Sequence, residues 1–230
     1  MLLNTTAQRV GRFGLLAALS LVLGYFDRAI PLTMLLSGAV PGIKLGLANT
    51  VLLYGVYMLD WKSCVALMLT KVLLSGFLFG SLSAILYSLA GGVLSLTVML
   101  LIRRRPDWGA LAIAVLAALS DAALLWRNPH PGGQLLWCVI LIALACVAAA
   151  AVFVFIRRNP ENGVLGTSLA GAVAHNVGQM LAAVAVLHTP QLLYTYLPVL
   201  VGIGAAVGAL TGFVARRVFA ALKIRTENGN

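Results

Sequence analysis

The amino-acid sequence predicts an all-α integral membrane protein, a polytopic helix bundle that crosses the bilayer about eight times. Of its 230 residues, 61% are hydrophobic and 10% are charged, and the mean hydropathy is +1.01, outside the range of ordinary soluble domains. Apolar runs of roughly 20 residues, long enough to cross about 30 Å of hydrocarbon, follow one another almost end to end. We therefore expect one membrane domain, residues 1–230.

Breaks rich in charged and turn-forming residues divide this domain into eight predicted helices. In chain order they are 13–30, 44–59, 63–79, 82–102, 108–126, 134–156, 164–187 and 194–215. The stretch 31–42 is apolar but bracketed by Pro31 and Pro41 and too short to span. We expect it to form a re-entrant or interfacial loop on the outer face, where protein or a water-filled cavity satisfies its backbone.

The cationic residues alternate sharply between the two sides of the predicted bundle. One side has only Arg28, Lys44 and Arg127. By the positive-inside rule the richer side is cytoplasmic, which places both termini inside a cell membrane. The net charge of +10 therefore indicates topology and a lipid bilayer rather than nucleic acid. The richer side contains Arg9, Arg12, Lys62, Arg103, Arg104, Arg105, Arg157, Arg158, Arg216, Arg217, Lys223 and Arg225.

Ionisable and amide side chains inside the predicted spans indicate a candidate site. Lys71 lies near the middle of the third span, where a charge costs about 3 kcal/mol or more on insertion scales. It either serves a ligand or pairs with a carboxylate or with helix carbonyls. His175 and Gln179 share one face of the seventh span, with Asn176 about 100° round. These three side chains need partners that lipid does not supply, either on a neighbouring helix or on a bound molecule.

The second predicted helix adds two further candidates. Lys44 lies at its start and Asn49 follows at depth. A helix start has free backbone N–H groups that attract an anion, and the lysine adds a full positive charge there. Asp27 and Arg28, at the outer end of the first helix, either pair with each other or line the same entrance.

Small residues at helical spacing predict two close helix contacts. Gly204, Gly208 and Gly212 are four residues apart in the last helix, and the first helix carries Gly14, Ala17 and Ala18. Such stripes let helix backbones approach closely in lipid. They indicate packing within this bundle, with the alternative that Gly14, Ala17 and Ala18 dock a separate membrane partner.

Several blocks of this sequence resemble the Gx transporter family, also labelled heptaprenyl diphosphate synthase component I. The more specific blocks are Pro41-Gly42-Ile43-Lys44-Leu45-Gly46-Leu47-Ala48-Asn49 and Ala174-His175-Asn176-Val177-Gly178-Gln179. Weaker matches are Phe79-Gly80 with Ser83, Tyr87-Ser88-Leu89-Ala90-Gly91-Gly92 with Ser95 and Met99, Gly166-Thr167-Ser168, and Tyr196-Leu197-Pro198.

The resemblance implies an architecture similar to the substrate-binding components of energy-coupling-factor transporters, with six core helices in residues 13–102 and 164–217. Residues 103–163 depart from that pattern and predict an inserted helical hairpin. Lys71 stands where the family pattern has Arg, so it keeps the positive charge but lacks the planar guanidinium group. Asp27 resembles a shorter version of a family Glu.

Three functions from different classes fit these observations. In the first, Lys44, Asn49, Lys71, His175, Asn176 and Gln179 line an outward-facing pocket for a small polar or anionic molecule. Partner subunits with a separate ATPase would then energise transport, because the chain has no GxxxxGK phosphate loop. The second function is a non-catalytic subunit of a prenyl diphosphate synthase, and the third is a scaffold for quinone- or flavin-linked electron transfer.

The sequence argues against catalysis by this chain alone. Ionising a diphosphate needs Mg²⁺ held by clustered carboxylates, and the six acidic residues include no close pair. Neither a haem-binding pair of histidines across two helices nor a cysteine cluster is present. We therefore expect no cofactor and no metal, and we expect the single cysteines to be packing residues.

Overall fold

The computed structural model describes residues 6–29, 46–79, 82–103, 163–189 and 196–222, with the single positions 154 and 158. Four predictions lie outside the described residues, apart from the single position 154. They are Lys44, the loop 31–42, and the helices 108–126 and 134–156 that would form the inserted hairpin.

The elements formed by the described residues are all helices, as predicted. The helices are α1 (Thr6–Ala29), α2 (Thr50–Met58), α3 (Trp61–Phe79), α4 (Leu82–Ile102), α5 (Gly163–Leu187) and α6 (Leu197–Ala221), with a short 3₁₀ helix (Leu47–Asn49) leading into α2.

Five of these helices are long and apolar enough to cross a membrane, namely α1, α3, α4, α5 and α6. This finding supports a multi-pass membrane protein. The apolar helix Leu47–Met58 is shorter, and at 1.5 Å per residue its 12 residues extend about 18 Å. That length is less than the roughly 30 Å of hydrocarbon, so this segment by itself does not complete the span predicted for 44–59.

Two helices extend further than the sequence predicted. α1 begins at Thr6 rather than near residue 13, and α6 continues to Ala221 rather than ending near residue 215. Both extensions contain arginines, Arg9 and Arg12 in α1 and Arg216 and Arg217 in α6. Arginine is a good helix former, and its long side chain reaches water from a helix end. The charged residues therefore do not mark the ends of these two helices.

α5 is the central helix of the described bundle, and it is buried over most of its length. Its contact with α4 depends on two glycines. A Cβ at Gly178 would lie 2.7 Å from the Ala90 carbonyl oxygen, and a Cβ at Gly91 would lie 2.7 Å from the His175 carbonyl oxygen. Any larger side chain at either position would force these helices apart, so the glycines set their separation.

The glycine stripe of α6 packs against the opposite side of α5. A Cβ at Gly208 would lie 2.9 Å from the Leu169 Cα, and one at Gly212 would lie 2.9 Å from the Ser168 Cβ. The Ser168 hydroxyl donates a hydrogen bond of 2.8 Å to the Gly208 carbonyl across this contact. The predicted packing of this stripe within the bundle is confirmed.

The basic ends of several helices come together at one end of the bundle. The Arg103 guanidinium lies 5.4 Å from the Tyr57 ring centroid, joining the end of α4 to the end of α2. Asp60 precedes α3 and accepts hydrogen bonds from the hydroxyl and backbone N–H of Ser63. These bonds hold the pKa of the Asp60 carboxyl below its usual value, and the positive charge of Arg9 acts in the same direction.

A hydrophobic core joins all six α-helices near this end. Tyr54 and Tyr57 of α2 contact the Phe219 ring of α6, at centroid distances of 5.1 and 5.4 Å. Cys64 is a free, buried cysteine within the same cluster, as its apolar surroundings in the sequence predicted.

Candidate functional site

A small cavity lies toward the other end of the bundle, between α1, α3, α4, α5 and the start of helix Leu47–Met58. Its volume is about 20 Å³, room for about one water molecule. The described residues that line it are Gly24, Asp27, Ala48, Lys71, Val72, Ser75, Ser88 and His175.

Lys71 and His175 meet at this cavity from separate helices. Lys71 projects from the middle of α3 with 6% of its surface exposed, and His175 projects from α5 with 3% exposed. They are 104 positions apart in the sequence, so only the fold brings them together. Of the five predicted ligand-binding residues that the structure describes, these are the two that line the cavity.

Asp27 adds a carboxylate to the same cavity and links α1 to the start of the following helix. Its Oδ1 accepts a hydrogen bond from the Leu47 backbone N–H at 3.0 Å, and its Oδ2 accepts one from the Ala48 N–H at 3.2 Å. Backbone N–H groups at a helix start have no intrahelical acceptor and carry partial positive charge. The anion that the sequence predicts at this helix start is therefore, in this structure, a side chain of the protein itself.

Two glycines bring the backbone close to the cavity. Gly46 has φ of 86°, a left-handed conformation that glycine adopts readily and other residues rarely do. A Cβ at this position would also lie 3.0 Å from His175 Cδ2. In α1, a Cβ at Gly24 would lie 3.5 Å from the Ser75 hydroxyl oxygen. The approach of Gly46 to His175 therefore requires glycine for both its conformation and its size.

Asn49 lies beside the cavity and is held in a hydrogen-bond network between helices. Its Nδ2 donates to the Ser95 hydroxyl at 2.6 Å and to the Gly171 carbonyl at 3.4 Å. The Ser95 hydroxyl in turn donates to the same carbonyl at 2.7 Å. The Asn49 Oδ1 has no hydrogen-bond partner in the part of the chain that the structure describes. Asn49 thus joins the helix start to α4 and α5, and its contact with a ligand stays a prediction.

Asn176 and Gln179 are fully buried in α5, but the structure does not place them in the cavity lining. The Asn176 Nδ2 donates to the Leu200 carbonyl at 2.8 Å, which links α5 to α6. The Gln179 Cγ lies close to Gly91 of α4. The three polar residues of this turn therefore point to different neighbours, and only His175 reaches the cavity. A ligand-binding role for the other two stays a prediction.

The three residues of the predicted docking stripe on α1 differ in whether they are open or packed. A Cβ added at Gly14 would meet no other described atom within 4 Å, and Ala18 is exposed. Ala17 instead packs against the hydrophobic core. Gly14 and Ala18 are thus the members that remain open in the described structure, and their contact with a partner stays a prediction.

Ser75 and Ser88 are cavity residues that sequence reasoning did not select. Ser75 follows Lys71 by four residues, the spacing that places two side chains on the same face of a helix. This spacing alone indicates that Ser75 lies beside Lys71. Ser88 of α4 carries no comparable signal, since its contribution depends on how α4 packs against α3 and α5.

The groups around the cavity include hydrogen-bond donors of both charged and neutral types. An ammonium, an imidazole and two hydroxyl groups surround one small space with a single carboxylate. Among the described residues no group of three His, Cys, Asp or Glu side chains is arranged to hold a metal ion. The arrangement is suited to recognising a small polar or anionic group.

These features define a membrane helix bundle with a buried, charged cavity between its helices. The chain belongs to the heptaprenyl diphosphate synthase component I family, whose model matches residues 16–124 and 130–218. Searches of curated proteins and of solved structures gave no match.

Proposed function

We propose that this chain is a ligand-binding membrane component that takes up a small anionic molecule and acts with partner proteins. The observation that carries the proposal is the cavity where Lys71 of α3 and His175 of α5 meet. Keeping an ammonium group inside a membrane span is costly, so an intramembrane lysine facing a cavity is a strong candidate for a functional residue.

The size of the cavity bears on how a ligand would enter. About 20 Å³ accommodates roughly one water molecule. Binding a larger molecule therefore requires the surrounding helices to move apart. α1 is the element best suited to move, because it is the least buried of the five long apolar helices.

Transport across the bilayer would require an energy source outside this chain. The sequence has no GxxxxGK phosphate loop, the motif that binds ATP phosphates in many ATPases. A partner with a separate ATPase would supply this energy, docking on the open α1 residues Gly14 and Ala18. In this arrangement the protein lies in the cell membrane with both termini in the cytoplasm and the cavity toward the outside.

Mass spectrometry of the molecule that co-purifies with the detergent-solubilised protein tests the proposal. We expect an anionic small molecule with the wild type and at least tenfold less of it with Lys71→Met. Ser168→Ala is the matched control, because Ser168 is a buried polar residue that bonds Gly208 and does not line the cavity. Equal recovery from all three proteins would contradict the assignment of the cavity as the binding site.

The family match favours a second candidate function, a non-catalytic subunit of a prenyl diphosphate synthase. The family is described as component I of heptaprenyl diphosphate synthase, a description that implies another component. The scarcity of carboxylates argues that the metal-dependent chemistry would belong to that other component.

Co-expression with a catalytic prenyl diphosphate synthase subunit tests this alternative. If the chain is an accessory subunit, the two should co-purify, and removing this chain should change the amount or the length of the prenyl diphosphate formed. A catalytic subunit that neither binds this chain nor changes its product in its presence would exclude the role.

A further inference from the structure

We infer that Asp27 lowers the affinity of the proposed site for every anion by acting as an internal competitor, so that only a strongly bound anion occupies the site. Its carboxylate occupies the position that the anionic group of a ligand takes. This inference rests on the proposed function and deepens it, because it names a multiply charged anion, such as a phosphate group, as the preferred ligand chemistry.

The carboxylate of Asp27 is bound as a ligand anion would be bound. Asp27 is 3% exposed, and each of its oxygens accepts a backbone N–H from the start of helix Leu47–Met58. The two donors lie 20 and 21 residues further along the chain, so this is a contact between helices and not a local cap. The structure therefore shows that these two backbone donors already bind a carboxylate.

The other hydrogen-bond donors of the site surround the same space. Ala48, Lys71 and His175 line the cavity together with Asp27. A ligand anion that reaches the ammonium and the imidazole must approach the Asp27 carboxylate, and two negative charges within one small cavity repel each other. Because the cavity holds only about one water molecule, the helices that line it have to move apart for the ligand to enter, and movement of α1 would withdraw the Asp27 carboxylate.

This competition has a consequence for ligand choice and for α1. A dianion is attracted more strongly to Lys71 and to the helix start than the singly charged carboxylate of Asp27 is. It therefore displaces this carboxylate more readily than a monocarboxylate would. Withdrawal of Asp27 also breaks two hydrogen bonds that join α1 to the following helix. Ligand binding would then loosen the helix whose outer face carries Gly14 and Ala18.

Binding of inorganic phosphate and of acetate to the full-length detergent-solubilised protein tests the inference. We expect Asp27→Asn to bind phosphate at least tenfold more tightly than the wild type, about 1.4 kcal/mol, and to bind acetate more tightly by a similar factor, because a competitor that must leave costs each ligand the same free energy. The matched control is Asp60→Asn, because Asp60 is an exposed acid that precedes α3 and does not line the cavity. This control should bind both anions as the wild type does.

Asp27→Ser provides a second neutral variant, since a serine hydroxyl also accepts a hydrogen bond from a helix start. Unchanged or weaker phosphate binding in both neutral variants would overturn the inference. Failure of both to fold would overturn it as well, because a competitor is dispensable for folding.

The experiment separates this inference from the proposed function. If neither phosphate nor acetate binds any variant, while the co-purified molecule still depends on Lys71, the competition is excluded and the binding function stands. If recovery of the co-purified molecule does not depend on Lys71, the proposed function itself fails.

Discussion

Lys71 lies in the middle of α3 and lines the same cavity as the buried carboxylate of Asp27, an arrangement that admits two roles for the lysine. A structural ion pair would depend on both charges, whereas a ligand-binding lysine would tolerate neutralisation in the empty protein. The hydrogen bonds of Asp27 help to separate the roles. Its carboxylate already accepts two backbone N–H groups, so removal of the lysine would not leave that carboxylate without donors.

We therefore predict that Lys71→Met leaves the empty protein as stable as the wild type or more stable. Methionine keeps an unbranched apolar shape and removes the cost of the buried charge. Ligand binding should fall at least tenfold, about 1.4 kcal/mol. Thermal melting with and without the co-purified molecule measures both effects.

Lys62→Met is the control for this substitution, because Lys62 is exposed at the start of α3. It should change neither stability nor ligand binding appreciably. The structural alternative predicts that Lys71→Met costs about 3 kcal/mol or more even without ligand, as expected when one partner of a buried ion pair is removed. A loss of that size with unaltered affinity would exclude the ligand role.

At the scale of helices, close packing of α5 against α6 depends on glycines that face a neighbouring backbone. We predict that Gly208→Ala destabilises the protein by about 1–3 kcal/mol, the usual cost of inserting atoms into a packed contact. The added Cβ would lie 2.9 Å from the Leu169 Cα, where backbone and not a flexible side chain has to shift.

Gly202→Ala in the same helix is the matched control. A Cβ at Gly202 would meet nothing within 4 Å, and alanine is the better helix former in the interior of a helix. Thermal unfolding in detergent should therefore give an unchanged or higher midpoint for Gly202→Ala and a lower one for Gly208→Ala. Equal effects of the two substitutions would show that the stripe does not set this helix contact.

Sequence periodicity and composition predict the helices well but not what each polar residue contacts. Apolar runs specify α4 to the residue, Leu82–Ile102, because a membrane span is a property of local composition. The side chains of His175 and Asn176 contact different neighbours, although the two residues are adjacent in sequence. His175 lines the cavity and Asn176 bonds Leu200 of α6, because each contact depends on which helix packs against that side of α5.

The open face of α1 leads to a prediction about a partner. Ala18 is exposed and Gly14 has open space beside it, so Ala18→Leu should leave the thermal stability of the monomer within error. If the face docks a membrane partner, the larger side chain should reduce co-purification of that partner, since close approach requires small residues.

Ala17→Leu is the internal control for this face. Ala17 packs against the hydrophobic core, so its enlargement should lower the thermal stability directly. Unfolding caused by Ala18→Leu with unchanged partner association would instead assign that residue to packing within the protein.

At the scale of the whole molecule, the family match covers both sides of the predicted hairpin and most of the hairpin itself. The matched ranges, 16–124 and 130–218, do not separate residues 103–163 from the rest of the chain. The described helices on either side end and begin beside basic residues, α4 before Arg103 and α5 shortly after Arg158. The basic residues thus place the end of α4 and the start of α5 on the same side of the membrane. An even number of spans between them would be consistent with this placement.

We predict that reporter fusions at Arg105, at Arg158 and at the C-terminus report the cytoplasm, and that a fusion near Pro131 reports the outer side. The physical reason is that the clusters Arg103–Arg105 and Arg157–Arg158 flank two apolar runs of spanning length, and Lys and Arg near span ends are retained inside. Paired fusions to alkaline phosphatase, active outside, and to green fluorescent protein, fluorescent inside, give complementary signals at each position. A cytoplasmic signal at Pro131, with Arg105 and Arg158 unchanged, would remove the hairpin and leave the six-helix arrangement.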